Sequence, residues 1–169
     1  VNAAHQFRVK KGDENYIITG YPWFKVRARD TFASMPGLTL SIGEPERYEL
    51  YMNTAIKAIY NFINKEPMSV DIYEMEQPDT LFWAVWNIQQ YAKYSSRSIC
   101  YNKYGQLLKD IMNYIWSGKH PNLFIHDNGL VYSNGRDHAI TWMNSTKNGR
   151  PIIPRSGYIV EFNALWYNA

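Results

Sequence analysis

Apolar residues recur at helical spacing in three stretches of this chain. Behind Glu44-Pro45-Glu46, the residues Tyr48, Met52, Ala55, Ile56, Ile59 and Ile63 fall on one face and predict an amphipathic helix to about Asn64. Asp79 opens a second helix, with Phe82, Val85, Ile88 and Ala92 on its apolar side. A third runs from about Lys103 to Trp116 on the stripe Leu107, Leu108, Ile111 and Ile115, and stops at Ser117-Gly118 with Pro121 beyond. Successive antiparallel helices are implied.

Between and around these helices the pattern is shorter. Residues Phe7–Thr19 read as a strand, a turn at Lys11–Glu14 and a second strand at Tyr16–Thr19. Pro36-Gly37 argues against a long straight helix after Asp30, so a short or kinked one is expected across Thr31–Ser41. Lys65–Pro78 is a polar connector with two prolines. From Asn122 the texture changes: Asn128-Gly129, Asn134-Gly135 and Asn148-Gly149 are turn dipeptides, and Leu123–His126 with Leu130–Tyr132 read as a hairpin. Glu161–Ala169 reads as the first two turns of a further helix. A chain that starts at Val1 and stops mid-element is expected to be a single piece of a larger domain, truncated at both ends.

Composition narrows the class. With 169 residues, 46% of them hydrophobic and 20% charged, the chain has the balance of one globular domain. A formal charge of +3 with scattered Lys and Arg demands neither nucleic acid nor an anionic membrane, and no apolar run reaches the roughly 18 residues of a membrane span. Cys100 is the sole cysteine, so an intrachain disulfide is impossible and a reducing, cytoplasmic setting is the simpler assumption. Aromatics stand out: fourteen Tyr, six Trp and seven Phe supply flat amphipathic surfaces that suit cores, interfaces or platforms for sugar rings and bases. An aromatic-rich binder of single-stranded nucleic acid would need a steep salt dependence that this modest charge does not support.

The candidate chemistry gathers at Gly20–Leu40, where Trp23 and Phe24 precede Arg29-Asp30. Arg offers a planar fork of donors and Asp offers acceptors, so the pair can hold adjacent hydroxyls of a polyol. The plainer reading makes Asp30 a helix N-cap and Arg29 its solvated neighbour. Asp30, Asp79 and Glu161 each stand at a predicted helix start, where acids also serve simply to stabilise the N-terminus. Converging helix starts can line a pocket, and Trp23, Trp83, Trp142 and Trp166 lie near them in sequence, although each Trp alone fits a core. His5, His120, His126 and His138 lack the spacing of a zinc site, and neither a GxSxG elbow nor a phosphate loop is present. No metal and no cofactor is expected.

The runs GYPWF, RARDTFASMPGLTL, PDTLFW, NGLVYSNG, TWMN and IPRSGYIVEFNALWYNA together resemble the amylo-alpha-1,6-glucosidase module of glycogen debranching enzymes, over about His5 to Ala169. The resemblance implies a mainly α fold, about half of an (α/α)6 toroid of glucoamylase-like type, with short β-hairpins in the loops. It implies an inverting hydrolase that removes α-1,6-linked glucose from glycogen or a related α-glucan. It carries Arg29 and Asp30 to the family's GRD motif, which holds hydroxyls of the terminal glucose, with Ala28 in place of the Gly. Trp23 belongs to the same stretch; Asp79 and Trp83 match a D-x-x-x-W at a helix start; Trp142 opens the Trp-Met-Asp motif; Arg155 and Glu161 match positions that contact sugar hydroxyls or each other.

Asn144 stands where the family's general acid, an Asp, is expected. An amide cannot donate a labile proton as a carboxylic acid does, and general-acid help is worth about 10²–10⁴-fold. The resemblance also places the catalytic base in the family's helices beyond Ala169, so the piece alone is expected not to turn over. A non-catalytic glucan-binding or regulatory homologue is the alternative, and half a ring should leave helix faces open to self-association.

Overall fold

The computed structural model describes residues 2–169. Its described part is mainly helical, with three short antiparallel hairpins set among the helices.

A five-residue helix, α1 (Asn2–Gln6), precedes the first hairpin, β1 (Arg8–Lys11) and β2 (Glu14–Ile17). Lys11 pairs with Glu14 across Gly12-Asp13, and Gly12 has φ +60°. A glycine with positive φ at the first central position is what a tight hairpin turn of this hand requires. The hairpin is the expected one, with β2 beginning two residues earlier than the apolar run suggested. Tyr16 and Ile17 at its end are buried.

The helix predicted across Thr31–Ser41 is α2 (Ala28–Leu38), and it begins three residues earlier than expected. Its start is fixed from outside: the Ala28 amide donates to the Tyr73 carbonyl at 2.9 Å and the Tyr73 amide to the Val26 carbonyl at 2.9 Å. Asp30 consequently lies inside the first turn. Pro36 is accommodated within the helix, which ends two residues later and passes into a 3-10 turn at Leu40–Ile42.

The three long helices are α3 (Pro45–Ile63), α4 (Thr80–Tyr94) and α5 (Arg97–Trp116). The first two match the sequence reading closely. Helix α5 starts six residues ahead of Lys103, because Ser96 caps it by accepting the Ile99 amide at 3.2 Å. The polar run Ser95-Ser96-Arg97-Ser98 conceals that start from an apolar count.

Phe32 and Met35 of α2, Tyr48, Met52 and Ile59 of α3, Phe82 and Ile88 of α4 and Ile111 of α5 are almost fully buried in one core. Full burial of such side chains contributes about 1.5–3 kcal/mol each before entropy is counted. Tyr48 stacks on Tyr91 at 4.9 Å and meets Tyr104 edge-on at 6.4 Å, tying α3 to α4 and α5. Cys100 is packed here too, and burial raises its thiol pKa, which disfavours the nucleophilic thiolate.

Two more hairpins follow: β3 (Phe124–Ile125) with β4 (Val131–Tyr132), and β5 (Thr146–Lys147) with β6 (Arg150–Pro151). Asn148 and Gly149 both adopt left-handed φ, 53° and 76°, as a two-residue hairpin turn of this type needs. Asn134-Gly135 turns no hairpin; a Cβ on the buried Gly135 would stand 2.1 Å from the Arg155 carbonyl oxygen. Helix α6 (Val160–Asn168) closes the chain against α4, burying Phe162.

Candidate functional site

The starts of α2, α4 and α6 carry the charged residues of interest. Arg29 is the second residue of α2 and reaches across to Asp79, the N-cap of α4. Its Nε lies 3.0 and 2.8 Å from Oδ1 and Oδ2, and its Nη2 lies 2.8 Å from Oδ1. Asp79 makes no cap hydrogen bond to its own helix; its carboxylate is taken up by Arg29 and by the Trp83 indole, which donates to Oδ2 at 3.2 Å. Trp83 lies four residues on, on the same helical face, so the D-x-x-x-W spacing has a direct physical use. Arg29 also donates to the Ile140 carbonyl at 3.3 Å. The side chains of Arg29 and Asp79 are only 11% and 3% exposed, so this is a desolvated pair whose geometry must stay good to hold.

A second ion pair sits at the start of α6. Arg155 donates from Nη2 to Glu161 Oε2 at 2.9 Å, and from Nη1 to Oε1. The hydrogen bonds from Arg155 hold the Glu161 carboxyl below the usual carboxylate range against the opposing effect of burial, with a smaller contribution from the Trp142 side chain. The same bond raises the Arg155 pKa further. Helix α6 is locked to the β3–β4 hairpin by Asn163, whose side chain accepts from the Val131 amide at 2.9 Å and donates to its carbonyl at 3.0 Å.

The segment Ile140–Asn144 joins the two ion pairs. Ile140 and Thr141 are buried, the Ile140 carbonyl meets Arg29, and Trp142 stands beside Glu161 with its indole 65% exposed. Asn144 follows, half-buried and just ahead of β5, and its amide has no hydrogen-bond partner among the described residues. The structure thus brings Arg29, Asp79 and Trp83 together, and Trp142, Arg155 and Glu161 together, with Asn144 on the connecting strand of chain.

Asp30 and Trp23 lie apart from this grouping. Consecutive helical residues project about 100° from one another. Asp30 accordingly lines a groove with Phe7, Ile17 and Thr19 beside the first hairpin, while Arg29 faces α4. Trp23 projects from the loop before α2, 84% exposed, into a groove shared with Tyr73 and Glu74.

Some participants had no signal in the sequence. The Ile140 carbonyl is a backbone acceptor, invisible to residue type. The sequence around His126 carries no metal-site spacing, yet its ring stacks on Tyr132 at 5.1 Å and its Nδ1 lies 2.6 Å from the Tyr158 hydroxyl. Among the described residues no group of three or more His, Cys, Asp or Glu side chains is placed to hold a metal ion.

The arrangement of helix-terminal acids, arginine forks and exposed indoles is accompanied by a match over nearly the whole chain. A model of the amylo-alpha-1,6-glucosidase family matches residues 2–169. This chain belongs to the amylo-alpha-1,6-glucosidase family. It is therefore a glycoside-hydrolase module related to glycogen debranching enzymes. No curated protein and no solved structure gave a match. Among the described residues no helix is long and apolar enough to cross a membrane.

Proposed function

We propose that this amylo-alpha-1,6-glucosidase module recognises an α-1,6-linked terminal glucose of glycogen or a related α-glucan, as part of a debranching-type domain of (α/α)6 toroid form. The observation that carries the reading is the meeting of Arg29, Asp79 and Trp83 beside the Ile140–Asn144 segment in a chain of this family. Arg29 spends Nε and Nη2 on Asp79 and Ile140, which fixes the guanidinium plane and leaves Nη1 for a hydroxyl. Trp142 offers an exposed ring face to a sugar, and Arg155 with Glu161 offers a fork and an acceptor beside it.

Hydrolysis with inversion needs a proton donor on the leaving oxygen and a carboxylate base across the ring, about 6.5–9.5 Å apart. Asn144 occupies the donor position by motif and can only hydrogen-bond. The proposed chemistry of this chain is therefore recognition with the proton-transfer step disabled. That specific residue also favours the second reading, a glucan-binding or regulatory homologue.

Glucose release from an α-1,6-branched limit dextrin by the full-length parent protein, as the wild type and as Asn144→Asp, tests the assignment. The variant should exceed the wild type by about 10²-fold or more. Equal, rapid release by both would show that position 144 is not the proton donor.

A further inference from the structure

Asn144 is followed by Ser145 and Thr146 in the stretch that leads into β5. Around it the chain is engaged: Ile140 and Thr141 are buried, the Thr141 hydroxyl accepts the Met143 amide at 3.1 Å, and the Ser145 carbonyl accepts the Ile152 amide at 3.0 Å. The junction between Asn144 and Ser145 is not. Among the described residues neither the Asn144 side chain nor the Ser145 amide has a hydrogen-bond partner, and Ser145 is exposed to water. Asparagine is a chemically labile residue, and a small residue after it makes it more so. Its side-chain carbonyl is then open to attack by the next backbone nitrogen, which closes a five-membered imide.

Glycine hinders this closure least, so in an unfolded chain the Asn-Gly dipeptides react ahead of Asn-Ser. The fold holds two of them back. At Asn128-Gly129 the glycine amide donates to the His126 carbonyl at 2.8 Å, and Asn128 Oδ1 accepts the Leu130 amide at 3.0 Å. At Asn134-Gly135 the glycine amide donates to the Ser156 hydroxyl oxygen at 3.0 Å, while Asn134 Oδ1 accepts from the Arg136 amide at 3.2 Å and the Ser156 hydroxyl at 3.0 Å. In both places the attacking nitrogen and the carbonyl it would attack are tied down. At Asn144 and Ser145 they are free to meet.

We propose that position 144 acquires a carboxylic acid in the folded protein, by deamidation of Asn144 through Ser145. The Ser145 nitrogen bonds to Cγ of Asn144, the Cγ–Nδ2 bond breaks, and Nδ2 leaves as ammonia with the Ser145 amide proton. Water then adds to the cyclic imide. Opening at Cγ restores the backbone with an aspartate side chain, whereas opening at the backbone carbonyl gives isoaspartate. The first product carries the proton donor that the amide lacks. This rests on the reading of position 144 as the donor position, but the two are measured separately.

Peptide mapping by mass spectrometry follows conversion at each asparagine while the folded chain is incubated at mildly alkaline pH. Asn144 should convert faster than Asn128 and Asn134, and the order should reverse in the chain unfolded by denaturant. Asn144→Gln should remove the conversion, because its longer side chain would have to close a six-membered ring. Asn144 converting no faster than Asn134 in the folded chain overturns the modification and leaves the donor assignment standing. Aged full-length parent protein supplies the second readout. With about a tenth of the chains converted to aspartate, glucose release from limit dextrin should rise about tenfold over fresh protein, while Asn144→Gln stays flat. Conversion to aspartate without that rise, where fresh Asn144→Asp does release glucose, overturns the activation. If Asn144→Asp itself releases none, the donor assignment falls and the activation with it, while the map still decides the modification.

Discussion

Arg29 meets Asp79 side-on, with Nε and Nη2 both 2.8 Å from carboxylate oxygens and little of either side chain in contact with water. This contact joins the start of α2 to the start of α4. Removing one partner should cost about 3–5 kcal/mol, because the other charge is then buried alone. Arg29→Met and Asp79→Leu should each lower the denaturation midpoint strongly, and the double variant should recover much of the loss. Chemical denaturation through a double-mutant cycle measures this; additive losses would show that the two residues do not act as a pair.

The pair at the start of α6 predicts a pH dependence. Because the folded-state pKa of Glu161 is lowered, its contribution is present above the ordinary carboxylate range and is lost as pH falls through the lowered value. Both partners are partly solvated, so the effect is about 1 kcal/mol. Glu161→Gln should therefore be less stable than the wild type at neutral pH and converge with it as the pH falls through the lowered Glu161 pKa. A constant difference across that range would contradict the assignment.

His120 gives a second, separate window. Burial lowers its pKa to about 4, and its Nδ1 accepts the Asn122 amide at 3.1 Å. The unfolded chain protonates near 6.5, so stability present above that pH falls between about 6.5 and 4, by on the order of 3 kcal/mol. NMR titration should find the His120 ring neutral above pH 5. A midpoint near 6.5 would show that the ring is reached by water.

Gly135 tests how tightly the loop under Arg155 is built. A Cβ there would lie 2.1 Å from the Arg155 carbonyl oxygen and 2.6 Å from Ile140 Cγ1, so backbone must move. Gly135→Ala should destabilise by about 1–3 kcal/mol. It should also shrink the pH-dependent difference made by Glu161→Gln, since the displaced segment carries Arg155. An unchanged melting temperature would mean that the loop is loosely held.

How much of this was legible in sequence depended on the kind of signal. Helices α3 and α4 were read nearly to the residue, since each combines a strong apolar stripe with start residues, Glu44-Pro45-Glu46 and Asp79. The starts of α2 and α5 were misplaced because they depend on other features: the backbone of Tyr73 sets the one, and the side chain of Ser96 within a polar run sets the other. The resemblance put Asp79 and Trp83 together as a D-x-x-x-W at a helix start, and it implied that Arg155 and Glu161 meet sugar or each other. The partner of Arg29 was not predicted. Sequence adjacency suggested that Arg29 and Asp30 hold one ligand together, whereas helical geometry turned Arg29 to a residue fifty positions away.

The central claim is that the chain recognises an α-1,6-linked terminal glucose. Calorimetric titration with an α-1,6-glucosyl maltotriose and with linear maltotetraose, ligands of equal size, tests it most directly. The account predicts that the branched ligand binds at least about tenfold more tightly and that Trp142→Ala removes most of this preference. Equal affinity for the two, or binding of neither, would contradict it.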